Sequence, residues 1–458
     1  MLPKFNKILE NSSSPERKLL NKHELRMHKG YSAIFLSVMK IVPAFVISLL
    51  FAGCSSVILE ANEKVQGRLL IWHSFEGKEA QTLNSILAQY QELYPRIKIV
   101  DEFFPEETIT DQFRLQARSG LGPDLMISSF EELIPLIQED IIEPLNEYNL
   151  DLSSYLPRPM SQVTLNDNLY GLPFVLTTQA LCYNKTQVEQ PLQTLPEMIV
   201  GAESKLQIAV PSNFLDTLWG VEIFRAEPDN RKLDNIGVDN IFEPKAWGNW
   251  LAWLRHANKN PNFILSSDTS TLKQIFTEGQ FAYYICDTDD ISDIKAILGA
   301  DKLGVTTLPG AANQFAEVKH KPAGPTLYTK AIVFNRISSN ATTKSALQLA
   351  SFLTNVEQQT KLAVETESLI PANSEVQLDK RLSPIQAVLL AQSKTAVAVS
   401  LKFVYEFEDA DEIHGDLYYN LVMAGEMAPM EAAEKFGQKI QEIKESLTQK
   451  DAMSLGEE

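Results

Sequence analysis

From Arg68 to Ile127 short apolar runs alternate with amphipathic stretches, and this alternation constrains the fold more than any other feature of the chain. Arg68 to Trp72 predicts a first strand. A helix follows over Gly77 to Tyr94, because Leu83, Ile86, Leu87, Tyr90 and Leu93 recur at three- and four-residue steps and Pro95 stops the run. Ile97, Ile99 and Val100 predict a second strand, and Thr108 to Arg118 a second helix. Gly120-Leu121-Gly122-Pro123-Asp124 is a turn cluster leading into a third strand at Leu125 to Ile127. Strands separated by helices lie mostly parallel in one sheet with helices covering its faces. Ligands of such sheets gather outside the carboxyl ends of the strands.

The pattern continues in a second region. A strand end at Leu181 to Asn184, helices over Trp247 to His256 and Thr271 to Glu278, and a strand over Phe281 to Cys286 are expected there. Trp250, Trp253 and Leu254 share one face of the first of these helices. A strand at Thr326 to Phe334, a helix at Thr342 to Thr354 and a charged helix at Met430 to Leu447 complete the reading. A chain of 458 residues exceeds one ordinary core, so two domains or lobes are expected.

Ahead of this body lies the apolar run Ile41 to Ala52, followed by Gly53 and Cys54. The run is shorter than the roughly 20 residues of a membrane span. A basic start, a short apolar core and small residues before a cut describe an export signal. A cysteine at the cut resembles the lipobox of bacterial lipoproteins, with Phe51 where leucine is usual. That resemblance implies a signal peptide over 1–53, a lipid on Cys54 and a tether over 54–66. An uncleaved anchor from Tyr31 to Phe51 is the bland alternative, and the start can lie at Met1, Met27 or Met39. Two or more acyl chains hold a protein stably at a membrane.

The chain carries 41 Lys and Arg against 59 Asp and Glu, and most of the basic excess of the leader is absent from the rest. A strongly negative body repels nucleic acid and anionic lipid and leaves a neutral or cationic ligand open. Beyond Cys54 only Cys182 and Cys286 remain. In an exported protein they can pair or remain two buried thiols, and one pair would not amount to a disulfide scaffold.

Four segments, in order, resemble the extracellular solute-binding proteins of ABC importers, in the carbohydrate-binding group that includes the maltose-binding protein. They are Gly67 to Trp72 with the helix ending at Tyr94-Pro95; Gly120 to Leu125; Leu169 to Phe174 with Leu181 to Lys185; and Leu303 to Gly310 before the strand at Thr326. The resemblance implies a periplasmic-binding-protein-like (type II) α/β fold with two α/β lobes and a hinged interlobe cleft. Lobe 1 is then 67–175 with 325–372, and lobe 2 is 176–324 with 373–458. Gly171 and Gly324 suit a hinge near the crossings.

The resemblance also implies the site. Phe75 and Glu76, after the first strand, face the cleft, or else form a solvated turn with Glu76 favouring the helix start. Ser129 and Glu131 follow the third strand. The other reading of that stretch is a helix start capped by Ser129, with Glu132 closing a capping box. Thr177 and Thr178, with Gln179, fit a ligand-facing crossing. Phe214, Asp216 and Trp219 lie where the second lobe often contributes contacts, and Trp219 can equally be core. Asp287 and Tyr405 stand in acid-rich stretches, Cys286 to Asp290 and Tyr405 to Glu412, where the family often shows aromatics. Fewer stacking plates and more carboxylates suggest a small hydroxyl-rich or amine-bearing ligand, and a solvated acidic loop is the alternative.

The expected function is a lipid-anchored, extracytoplasmic solute-binding component of an ABC importer. It captures a small saccharide or glycosylated polyol and delivers it to a membrane permease served by an ATPase. Oligosaccharides and polyamines stay open as ligands, and a monomer without metal or cofactor is expected. A ligand-sensing adaptor on the same fold is one rival. An exported glycoside hydrolase is the other, but acid pairs can always be chosen from 59 acids. No H-E-x-x-H or G-x-S-x-G motif occurs.

Overall fold

The structure is a computed structural model that describes residues 67–225, 243–311, 321–407 and 415–454. Cys54, the expected signal and the tether lie outside the described residues. Fourteen strands occur among the described residues. In chain order these are β1 (Gly67–His73), β2 (Ile97–Phe103), β3 (Leu125–Ser129), β4 (Thr164–Leu165), β5 (Asn168–Leu169), β6 (Leu172–Thr177) and β7 (Gln179–Asn184). They continue with β8 (Ile208–Pro211), β9 (Phe263–Ser266), β10 (Tyr283–Asp287), β11 (Leu303–Thr306), β12 (Thr326–Phe334), β13 (Ile370–Pro371) and β14 (Val397–Ala398).

Two main sheets form, as in a two-lobed α/β fold. The first has the order β13-β6-β12-β3-β1-β2, with β14 beside β12, and the second the order β11-β7-β10-β8-β9. β1 runs parallel to β2 and β3, and β8 runs parallel to β9 and β10. The sheets are mixed rather than largely parallel. β12 is antiparallel to β3 and β6, and β7 is antiparallel to β10 and β11. The antiparallel strands are those next to the crossings, where the chain passes between sheets instead of returning through a helix.

The helix Gly77–Leu93 buries Leu83, Ile86, Leu87 and Tyr90 and leaves Leu93 exposed. Leu93 is the last residue of the helix. At the next turn Gly120 and Gly122 adopt the left-handed backbone that only glycine takes without strain. The turn brings Asp124 back to β1, where its carboxylate accepts from the Leu70 N–H (2.9 Å) and from the Ser338 hydroxyl (2.9 Å).

The second lobe is built on tryptophans. Trp219, Trp247 and Trp250 are fully buried, and Trp250 packs edge-on against Trp219 with centroids 4.7 Å apart. Gly220 is required there, since a Cβ would lie 2.3 Å from the Trp250 ring. The helices Gly415–Met423 and Pro429–Ser454 pack on Pro244–Ala257.

The segment from 373 onward does not stay in the second lobe. β14 pairs with β12, Leu401 is in the core of the first sheet, and the helix Leu401–Phe407 packs on Leu133–Gln138. Arg158 ties this return down by donating to the Lys394 and Ala396 carbonyls, both at 2.9 Å. Buried Gln162 bridges it to β12, donating to the Leu327 and Val399 carbonyls and accepting from the Thr329 hydroxyl.

The first crossing turns at Thr178. Its hydroxyl donates to the Thr326 carbonyl at 2.7 Å, and its N–H donates to the Thr288 hydroxyl at 3.1 Å. Gly171 and Gly324, expected near a hinge, both stand at close approaches of the chain. Neither has a left-handed backbone. A Cβ on Gly324 would lie 2.4 Å from the Glu222 side chain, and the Gly324 N–H donates to the Trp219 carbonyl at 2.8 Å.

Of the two alternatives for the cysteines, the structure has the disulfide. Cys182 and Cys286 join β7 to β10, 104 residues apart in sequence, and both are fully buried. A loop of that length gives a cross-link a stabilisation of about 2–5 kcal/mol. Cys182→Ser with Cys286→Ser should therefore lower the unfolding free energy by that amount, and the denaturation midpoint with it. Calorimetry of the double variant with an unchanged midpoint would remove the disulfide from the stability of this lobe.

Candidate functional site

The chain segments that follow β1, β3, β8 and β10 carry the polar side chains of the candidate site. On the first lobe, Ser129 opposes Lys330, and Tyr328 opposes Thr177. Paired residues share a sheet face, so the carboxyl end of β3 and the first half of β12 present Ser129, Tyr328 and Lys330 together. Lys330 Nζ sits 2.5 Å from Glu106 Oε2 and 5.8 Å from the centroid of Phe75. The Ser74 hydroxyl donates to the same Glu106 oxygen at 2.8 Å. Phe75 is buried beneath the ammonium, with the Phe174 ring centroid 6.1 Å away.

The second lobe contributes Asp216, Asp287, Asp289 and Asp290, all half-buried. Asn213 donates to Asp216 at 3.0 Å, and Lys273 holds Asp290 at 2.6 Å. Asp216 acts electrostatically on Glu131, and Asp289 acts on Glu79. Both interactions link one lobe to the other. Lys295 and Glu367 form an ion pair that also joins the lobes.

Burial governs the charge of these acids. It pushes Glu131 up to about 7, reinforced by Glu132, Asp216 and Glu106. Burial also pushes Glu79 up to about 7, against a hydrogen bond from Ser368 and with the help of Asp289. Asp287 is raised well above the carboxylate range by burial, then by Asp289, Asp216 and Asp290. Asp289 is raised by burial and partly relieved by Lys330. At Glu106 burial acts upward too, but Lys330 and the Ser74 hydroxyl outweigh it and hold the acid below its ordinary value. His73, beneath this loop, is kept neutral by burial despite Asp101 at 3.9 Å.

The residues singled out from the sequence fall into two groups. Phe75, Ser129, Glu131, Thr177, Asp216 and Asp287 lie around the cleft, although Phe75 and Thr177 are buried. Glu76 is exposed at the start of the helix Gly77–Leu93, and Phe214 opens the helix Phe214–Thr217. Thr178 is committed to the crossing. Trp219 is core, as the bland reading had it. Tyr405 is 41% exposed on the first lobe and acts on Tyr170 together with Asp140 and Arg336. Those groups lie toward the far end of β12 from Lys330, so Tyr405 does not join the cleft. The capping box at Ser129 is absent too, because the Phe130–Glu132 turn has no side-chain cap.

Lys330, Glu106, Tyr328 and Asp289 were not singled out from the sequence. A signal for one of them was present: Lys330 is the one charge in the apolar strand Thr326–Phe334. Gln179 also gains weight. It is 2% exposed, pairs in register with Asp287, and neither side-chain amide atom has a hydrogen-bond partner among the described residues.

The sequence profile of the family described as bacterial extracellular solute-binding protein matches residues 85–387. A maltotriose-binding protein of Pyrococcus abyssi is 26% identical over 326 residues, 69% of each chain. A galactooligosaccharide-binding protein of Bacillus subtilis is 22% identical over 80% of this chain and 86% of its own. Among solved structures, the GacH receptor of Streptomyces glaucescens superposes with a TM-score of 0.65 at 18% identity, covering 83% of this chain and 98% of that one. The maltose-maltodextrin binding protein of Alicyclobacillus acidocaldarius superposes at 0.63 and 22% identity, covering 82% and 100%. These likenesses support the two-lobed fold.

The raised acids carry a pH consequence. A carboxylate whose value is higher in the folded state penalises that state once ionised, so its contribution falls as pH rises from the ordinary range toward about 7. Thermal stability of the ligand-free protein should decline between about pH 5 and 7.5. Glu131→Gln should flatten that decline and recover on the order of 1–3 kcal/mol at pH 8 after solvent screening. Parallel melting curves for the variant and the parent would refute this assignment of the acid.

Proposed function

The chain belongs to the bacterial extracellular solute-binding protein family, and we propose that it captures a small saccharide or glycosylated polyol between its two lobes without converting it. The convergence of Glu131, Tyr328 and the Lys330–Glu106 pair from one lobe with Asp216, Asp287 and Asp289 from the other carries this reading. Carboxylates accept hydrogen bonds from fans of hydroxyls, and the rings of Tyr328 and Phe75 offer flat apolar surface. The saccharide-binding relatives support the ligand class. A solute that touches both lobes only when they are closed shifts the population toward the closed form.

In this reading the captured solute passes to an ABC permease driven by its ATPase, and the protein stays outside the cytoplasm as a monomer held through lipid on Cys54. Two experiments test it. Calorimetric titration with maltotriose, galactooligosaccharides and monosaccharides should yield saturable binding and an intact sugar, with the melting temperature rising by mass action. Glu131→Gln should weaken that binding about tenfold or more, the scale of a lost charged hydrogen bond. Absence of binding to every sugar, or turnover of one, overturns the reading.

For the anchor, expression in a bacterial host with labelled palmitate should give a labelled, membrane-bound protein. Cys54→Ala should release it unlabelled. Retention of label in that variant defeats the lipid assignment.

A further inference from the structure

We propose, resting on the capture reading above, that Gln179 determines specificity by binding two adjacent neutral hydroxyls of the solute, its amide oxygen accepting from one and its amide nitrogen donating to the other. The strand register places it. Along β7 and β10 three opposed pairs share one face: Tyr183 with Tyr283, Leu181 with Ile285, and Gln179 with Asp287. The first two pairs pack into the tryptophan core of the second lobe. Gln179 and Asp287 end this ladder, Asp287 as the last residue of β10 and Gln179 as the first of β7, directly after Thr178. The backbone there is held from both sides. Thr178 is bound to Thr326 and Thr288 on one side, and the Cys182–Cys286 disulfide joins the same two strands on the other. A side chain on so fixed a frame is preorganised.

The amide itself supplies the second observation. Neither its oxygen nor its nitrogen has a hydrogen-bond partner among the described residues, although the residue is buried. Burying an amide unpaired is unfavourable. Six glutamines are buried among the described residues. Four of them, Gln162, Gln359, Gln386 and Gln392, bind backbone groups elsewhere in the chain. Gln358 shares the condition of Gln179, but it lies in the first turn of the helix Val356–Thr366, at the end away from Glu367 and the second lobe. Gln179 is thus the unpaired amide that stands at a strand end beside the cleft. A planar amide presents one acceptor and one donor side by side. Two neighbouring ring hydroxyls, one donating and one accepting, are its complement.

Gln179→Met keeps the bulk of the side chain and removes both polar atoms. Maltotriose, galactobiose, glucose and galactose are titrated calorimetrically into the parent, this variant and the control Gln358→Met. For the sugar that the parent binds tightest, Gln179→Met should lose about tenfold or more in affinity, and Gln358→Met should match the parent. Ligand-free Gln179→Met should melt at or above the temperature of the parent, because no hydrogen bond of the protein is lost. Gln179→Leu repeats both readings where methionine packs badly. A lowered melting temperature in both variants puts the partner of the amide inside the protein and overturns the inference. Monodeoxy analogues of the same sugar test the hydroxyls. At least one should bind the parent about tenfold or more weakly, and the same analogue should cost the variant no further affinity. Equal binding by parent and variant, or analogues that cost both proteins alike, overturns the inference and leaves saccharide capture standing. No binding of any of the four sugars by the parent overturns both.

Discussion

The hydroxyl of Thr178 holds the molecule together at its narrowest place. It ties the first crossing to the Thr326 carbonyl, where the chain re-enters the first sheet. Thr288, at the end of β10, is bound to the same residue through its hydroxyl and its N–H. One residue thus fixes the end of β6, the start of β12 and the carboxyl end of β10 relative to each other. The carboxylates of the cleft inherit their positions from that knot, since Asp287 and Asp289 flank Thr288 and Lys330 lies four residues after Thr326.

The glycines show how little of this junction depends on slack backbone. Gly324 exists because Glu222 and the Thr395 carbonyl leave no room for a side chain. The acids facing one another resist closing, while the Lys295–Glu367 pair favours it. A bound solute acts on this balance, and the family to which the chain belongs is one of solute binders.

Much of the architecture was legible because period and punctuation agreed. The apolar steps of Gly77 to Leu93, the glycines before Asp124 and the apolar run of β12 each marked an element whose local preference matches its place in the fold. The return of 397–407 to the first lobe was not legible. β14 is two residues long, and the helix after it has seven, too few for a period to emerge. In the cleft, acids could be found from their position after strands, but their pairing across lobes depends on tertiary geometry that no spacing encodes. Trp219 was ambiguous for a physical reason: an aromatic beside a cleft and one beneath it look alike until Trp250 is placed against it.

The second sheet is contiguous in sequence, from β7 at Gln179 to β11 at Thr306, whereas the first needs β1 near Gly67 and β14 near Ala398. A chain emerging from its amino end can assemble the whole second sheet, and seal it between Cys182 and Cys286, while β12 of the first is still unmade. Of the two sheets the first is therefore the last to be finished, and its three leading strands must wait, with one edge of β3 uncovered, for a partner that arrives some two hundred residues later.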